Sequence, residues 1–262
     1  MKGSGLLQNK KGIIFGALDE DSIAWQTALQ VHAEGGAVIL TNFPAAIRLG
    51  KINELAALIN APVIPCDVAH LSEIEGLIDK TKEYFSGGFD FILHSVGMSY
   101  NIRKKNEYTH LDYELYLRTL EVSAFSLHKI LQSCYQKNAL NDFASVVALS
   151  FMASQKVCPG YNDMADAKAV LESIVRNFGY YYGKSKNVRV NSVSQSPTAT
   201  TAAKGIEGFS VMSELSNEVS PLGNATAKDV AKYICMLFSD YTHKITLQNL
   251  YHDGGYSSMG FK

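Results

Sequence analysis

The sequence predicts a single doubly wound α/β domain, a seven-stranded parallel sheet with helices on both faces. Three observations point there. Short apolar runs alternate with longer amphipathic segments from one end of the chain to the other. Most of those runs are continuously apolar, the pattern of strands buried on both faces of a parallel sheet. Across the 262 residues there is no linker, composition break or internal repeat, so residues 1–262 read as one unit.

Residues 12–16 (GIIFG) form a buried first strand, and 22–34 form a helix with Ile23, Ala24, Ala28 and Val31 on one side, stopped by Gly35-Gly36. Residues 37–41 are strand two, 45–59 a second amphipathic helix, 62–66 (PVIPC) strand three and 71–85 the third helix. Strand four spans 89–93. A polar, basic stretch at 98–112 reads as a surface excursion, and 113–136 as a long helix. Strand five (144–150), a long helix (162–182) and strand six (188–193) come next. An irregular region rich in small residues covers 197–219, then a helix at 226–238 with Thr226 as cap, and strand seven at 245–251.

Composition narrows the function classes. Hydrophobic residues make up 47% of the chain, enough for a sizeable core, and the net charge is −1. That balance gives no general attraction to nucleic acid or to an acidic membrane. No apolar run reaches the ~20 residues of a membrane span, and MKGSGLLQNKK has no apolar signal core. Cys66, Cys134, Cys158 and Cys235 are scattered without a CxxC pair and read as reduced thiols. A cytoplasmic protein without a metal site is expected.

Candidate chemistry gathers where the strands end, the place where such sheets bind ligands. Tyr161 and Lys168 are seven residues apart; seven steps of about 100° come within roughly 20° of two turns, so both lie on one helix face. A phenol and an ammonium together suit the stabilisation of an oxyanion, although a helical Tyr is also common core packing. In the loop after strand one, Gly16 permits a sharp turn, and Ser22-Ile23 opens a helix whose free N–H groups favour a pyrophosphate. The usual GxGxxG is absent, and an ordinary strand-to-helix turn fits equally. Asp19, Glu20 and Asp21 read as pointing to solvent. Asp67 either accepts from an adenine amino group or caps a helix. Ser95 and Gly97 let the backbone pass close to a dinucleotide. No carboxylate follows strand two, where Asn42-Phe43-Pro44 stands; Arg48 nearby serves a 2′-phosphate or is simply solvated. Charge therefore leaves NADH and NADPH both open.

Together these residues resemble the short-chain dehydrogenase/reductase superfamily, whose domain is Rossmann-type, and within it the NADH-dependent enoyl-acyl-carrier-protein reductases of bacterial fatty acid synthesis. The matching stretches run nearly end to end: GIIFGALDEDSIAW near the start, CDV at 66–68, HSVG at 94–97, YNDMADAK at 161–168, VRVNSVSQSPTATTAAKGIEGF at 188–209 and DGG at 253–255. Six residues between Tyr161 and Lys168 are the pattern of the enoyl reductases; ordinary superfamily members carry Lys at the position of Ala165. The resemblance implies that Tyr161 and Lys168 are the catalytic pair, with Lys168 on the nicotinamide ribose. It implies that Gly16, Ser22, Ile23, Asp67, Val68, Ser95, Val96, Gly97 and Thr200 line NADH. It implies an acyl pocket of Met98, Phe151, Met164, Ala202, Ala203, Ile206 and Phe209 beside Tyr161, under a lid at about 197–219. An acyl-carrier-protein-bound substrate and a homotetramer are expected. Two departures stand out: Phe151 where many members have a second Tyr, and Ser196-Pro197 in place of Gly-Pro. The competing readings are a 3-ketoacyl (carbonyl) reductase of the same superfamily and a non-catalytic dinucleotide-binding homologue.

Overall fold

The computed structural model describes residues 3–204 and 208–260. Its centre is a parallel sheet of six strands: β1 (Lys11–Phe15), β2 (Ala37–Thr41), β3 (Phe89–His94), β4 (Leu140–Ser150), β5 (Arg189–Gln195) and β6 (Asn249–His252). They run side by side in the order β2-β1-β3-β4-β5-β6. Chain direction across the sheet reverses at the β1/β3 boundary, the place where sheets of this kind bind ligands beyond the carboxyl ends.

Of the seven expected strands, the third, at 62–66, does not form. Residues 62–66 form one isolated bridge, Leu40 with Val63, at the β2 edge. Pro62 and Pro65 have no N–H to give to a ladder, and an edge is where such a segment is tolerated. Ile64 and Cys66 donate to Leu40 O and Asn42 O, so the segment lies extended without becoming a strand.

The helices are α1 (Ile23–Ala33), α2 (Pro44–Leu49), α3 (Ile52–Ile59), α4 (Leu71–Tyr84), α5 (Tyr100–Arg103), α6 (Tyr113–Leu120), α7 (Ser126–Gln136), α8 (Asn162–Lys186), α9 (Thr201–Lys204), α10 (Phe209–Val219) and α11 (Ala227–Phe238). The single helix expected over 45–59 is two, broken at Gly50, whose backbone is extended. The expected 113–136 helix is continuous but carries a π turn at Glu121–Phe125 between α6 and α7. The region read as irregular at 197–219 contains α9 and α10, and the stretch 98–112 contains α5. Strand β6 begins at Asn249, later than expected, because Leu247 sits at φ 63 and interrupts the extended run.

Apart from the edge strand β6, the strands are largely buried on both faces, as their apolar runs require. Ile13, Phe15 and Ile92 face one core with Leu77, Leu127, Ile130, Leu171 and Val175 of α4, α7 and α8. Ile14, Phe91 and Leu93 face the other with Trp25, Leu55, Val230 and Phe238 of α1, α3 and α11. Local signals start the helices: Ser22 caps α1 by accepting from Trp25 N–H, and Thr226 and Asp229 form a reciprocal capping box on α11. Asn187, in the left-handed region at φ 57, ends α8. All four cysteines are free, and no described helix is long and apolar enough to cross a membrane.

Phe91 is fully buried and stacks on Phe238 with ring centroids 4.6 Å apart. Phe91→Ala is expected to lower unfolding free energy by about 3–5 kcal/mol, as read from urea denaturation; a loss below about 1 kcal/mol would show that this contact does not anchor α11 to the sheet.

Candidate functional site

The register of the sheet gathers the candidate residues. Phe15 pairs with His94, and His94 pairs with Ala148, so Gly16, Ser95 and Leu149 leave the sheet along one edge. Gly16 has φ +90, and a Cβ there would overlap the carbonyl oxygen of Ser95. Both facts demand glycine. Its N–H donates to Thr41 O, 3.0 Å away. The Ser22 hydroxyl is spent on the loop itself: it donates to Asp19 O and accepts from Leu18 and Trp25 N–H. Asn42 in turn donates to Ala17 O at 2.8 Å. The loop is therefore preformed, with Ile23 buried beneath the first turn of α1.

Asp67 is not a helix cap; α4 begins four residues later, after His70. Its Oδ1 accepts from Ala69 N–H at 2.9 Å in a local turn, and its Oδ2 lies 3.6 Å from His70 Nε2. Val68 beside it is buried. Arg48 is in the last turn of α2. Asp21 does not simply face water: its Oδ2 accepts from Lys204 Nζ at 2.7 Å, joining the loop after β1 to α9. Both side chains are more than half exposed, so the pair is a weak tie.

Lys168 is the most constrained charge in the region. It is 7% exposed, and its Nζ donates to Leu149 O at 2.8 Å. A Cβ on Gly97 would lie 3.7 Å from that Nζ and 3.8 Å from Met164 Cε. Burial draws the Lys168 pKa down to about 8, with Glu172 one turn further along α8 opposing the shift. Glu172, buried as well, accepts from Ser150, Ser154 and Gln155. Sequence reasoning missed it; its i+4 spacing from Lys168 was the available signal. His94 was also missed as a neighbour. Burial and then the Lys168 charge push its pKa down to about 3, so it is neutral, with Nε2 2.8 Å from Ser126 Oγ.

Tyr161 stands just before the first residue of α8, with Asn162 at φ 43 behind it. It is not on a continuous helix with Lys168, as the seven-residue spacing predicts. Its ring packs on Phe151 at 5.0 Å between centroids. Burial, and then Cys158, push the phenol well above its usual range. Among the described residues the hydroxyl makes no hydrogen bond. Phe151, Met152 and Ala153 form a small apolar cluster that Tyr161, Met212 and Tyr256 complete; Met212 and Tyr256 were not anticipated.

The remaining candidates are more dispersed. Ser95, Val96 and Met98 are half-buried or more exposed, with Gly97, at the end of β3. Met164 and Phe209 are buried, whereas Ala202 and Ala203 on α9 are exposed and half-buried. Thr200 caps α9, its Oγ1 accepting from Ala203 N–H. Ile206 lies outside the described residues. Ser196 is explained by its own bond: its buried Oγ accepts from Ala225 N–H at 2.7 Å and ties the end of β5 to the approach of α11.

These features fit a dinucleotide. The Gly16 turn leaves the backbone bare beside a helix N-terminus, and Lys168 uses one of its three N–H donors on Leu149. Gly16→Ala is expected to weaken NADH binding at least about tenfold by fluorescence titration, through the clash with Ser95; unaltered binding would remove this loop from the site. For Lys168, the folded pKa near 8 lies below the ordinary 10.5, so the unfolded chain holds more protons between those values. Its contribution to stability therefore rises with pH across that window. Lys168→Met should be more stable than the parent at neutral pH, by about 1–3 kcal/mol, with the gap closing as pH rises to the ordinary lysine value. A gap that stays constant in urea titrations would show that no buried ammonium is being relieved.

Comparison with known proteins places this geometry. A family model for enoyl-(acyl carrier protein) reductase matches residues 16–257. The chain is 33% identical over 257 residues to the NADH enoyl-acyl-carrier-protein reductase 2 of Rhizobium meliloti (strain 1021), covering 97% of this chain and 94% of that one. It is 31% identical over 255 residues to the corresponding Bacillus subtilis (strain 168) enzyme, covering 95% and 96%. The solved FabI–NADH complex of Alistipes finegoldii superposes with a TM-score of 0.97 at 53% identity, covering 98% of this chain and 91% of that one. The chain belongs to the enoyl-acyl-carrier-protein reductase family.

Proposed function

We propose that this chain reduces the trans-2 double bond of enoyl thioesters carried on acyl carrier protein, with NADH as reductant. The observation that carries the reading is the Tyr161 hydroxyl: it has no hydrogen-bond partner among the described residues, and its raised pKa keeps it a donor at neutral pH. When bound, NADH supplies a hydride to the β-carbon of the substrate. The names of the relatives support NADH, since the Rhizobium meliloti and Bacillus subtilis enzymes are both named for it.

The residues of this chain then divide the task. Gly16, Ile23, Asp67, Val68, Ser95, Val96, Gly97 and Thr200 hold the dinucleotide along the carboxyl edge of the sheet, with Ser22 shaping the loop. Lys168 offers its free N–H donors to the ribose hydroxyls. Tyr161 donates a hydrogen bond from its O–H to the thioester oxygen as negative charge gathers there, a preoriented donor doing this more effectively than water, and the enolate so held takes a proton from solvent at its α-carbon to complete the saturated product. Phe151, Met98, Met164, Phe209 and, beyond them, Ala202 and Ala203 enclose the acyl chain, a pocket to which the family resemblance adds Ile206. Phe151 gives the Tyr161 ring an apolar wall and no second donor. The segment 197–219 serves as the lid, Rossmann-type residues 1–262 as one unit, and exposed aromatics such as Tyr113, Tyr180 and Tyr181 support assembly of like chains in a cytoplasmic homotetramer.

A ketoreductase would need a hydroxyl beside Tyr161 to polarise its ketone. Ser150 is the nearest candidate in sequence before Phe151, and it donates to Glu172 at 2.6 Å. NADH oxidation is expected with a trans-2-enoyl thioester and not with a 3-ketoacyl thioester. Tyr161→Phe should lose about 10²–10³ in turnover with NADH binding intact. Consumption with the ketoacyl substrate alone, or full turnover in Tyr161→Phe, would discard the reading.

A further inference from the structure

One group of buried polar side chains has no task in this division. Asp163 is fully buried two residues after Tyr161. Three side chains from two segments donate to it: Ser99 Oγ to Oδ1 at 2.6 Å, and Asn101 Nδ2 and Thr119 Oγ1 to Oδ2 at 3.0 and 2.8 Å. All three donors are buried as well. Each is tied to its own segment: Ser99 Oγ accepts from Ile102 N–H, Asn101 Oδ1 accepts from Asp112 N–H, and the single Thr119 O–H is shared between Asp163 Oδ2 and Leu115 O. Asp166, on the next turn of α8, receives the hydroxyls of Tyr108 and Tyr116.

The segments joined are those that bracket the proposed reaction centre. On one side is Tyr161. Because Asn162 is left-handed, the helical repeat of α8 does not set the direction of Tyr161, so other contacts must. On the other side Ser99 follows Gly97 and Met98, and Ser123 Oγ in the π turn accepts from Met98 N–H and also lies 3.2 Å from Met98 O. Burying a carboxylate is unfavourable unless its oxygens are satisfied, and apolar side chains of similar volume would hold the same space as well or better. What the carboxylate adds is direction, three bonds of fixed geometry.

We propose that Asp163, with Ser99, Asn101 and Thr119, is a positioning residue that fixes the Tyr161 donor against the 97–102 wall of the acyl pocket. The assignment rests on the reading of Tyr161 as the oxyanion donor. Loosening the cluster displaces the donor from the thioester oxygen while leaving Lys168 and the Gly16 loop untouched.

The test compares Asp163→Asn, Thr119→Val and Thr119→Ser in the full-length protein. It measures kcat and KM for a trans-2-octenoyl thioester, NADH affinity, and hydrogen exchange at 97–102 and 161–166. Asp163→Asn puts an amide where three donors converge and should reduce kcat by about 10–100-fold, with NADH affinity within about twofold and faster exchange in both segments. Thr119→Val should do the same to a smaller degree, and Thr119→Ser, which keeps the hydroxyl, should match the parent. A lower unfolding midpoint with unchanged kcat and KM would reduce the cluster to a structural tie and overturn the proposal. Should Asp163→Asn fail to fold, the two Thr119 variants decide by the same criteria. If the parent oxidises no NADH with the enoyl substrate, the reductase reading fails by that result alone. Protection at 161–166 that is unaltered in the variants would then overturn the positioning role separately.

Discussion

Parallel register is the constraint on which this structure depends. β1, β3 and β4 are paired so that Phe15, His94 and Ala148 lie abreast. The chain therefore leaves all three strands on one edge, and the loop after each strand meets the loops after its neighbours. Gly16 touches Ser95 because of that register, and Lys168 reaches Leu149 O because β4 ends there. A slip of one residue would turn every strand side chain to the opposite core. Since both faces are buried against helices, such a slip is heavily penalised, and the edge is held rigidly in place.

That rigidity permits electrostatics that would otherwise be unfavourable. A lysine amine with a single carbonyl acceptor and 7% exposure is poorly solvated, and its pKa falls accordingly. The same burial raises the Tyr161 phenol. The two shifts have one cause and opposite consequences: the ammonium becomes easier to deprotonate, the phenol harder. The neutral His94 beneath Lys168 avoids a second positive charge in the same space.

The Asp163 cluster and the Glu172 cluster play complementary parts around this pair. Glu172 gathers Ser150, Ser154 and Gln155 and so holds the turn that carries Phe151. Asp163 gathers Ser99, Asn101 and Thr119 and holds the opposite wall. Two buried carboxylates on one helix thus orient the loops on both sides of Tyr161. Each is satisfied by three side-chain donors, the condition under which a buried carboxylate is tolerated.

Much of this was legible in the residues alone. Continuous apolar runs determined a parallel sheet, because a strand flanked by helices on both faces has no polar side to show. Gly16, the Ser22 cap and the Tyr161–Lys168 spacing pointed to the edge where the proposed site lies. Strand number was not legible at 62–66, since β-forming residues at an edge pair only as far as their prolines allow. The break at Gly50 and the helices within 197–219 were missed because small residues carry little periodicity. The protonation states of Tyr161 and Lys168, and the partners of Asp163 and Glu172, were decided only by tertiary structure. Burial and long-range hydrogen bonds depend on which distant segments meet, and a sequence orders neighbours along the chain, not across it.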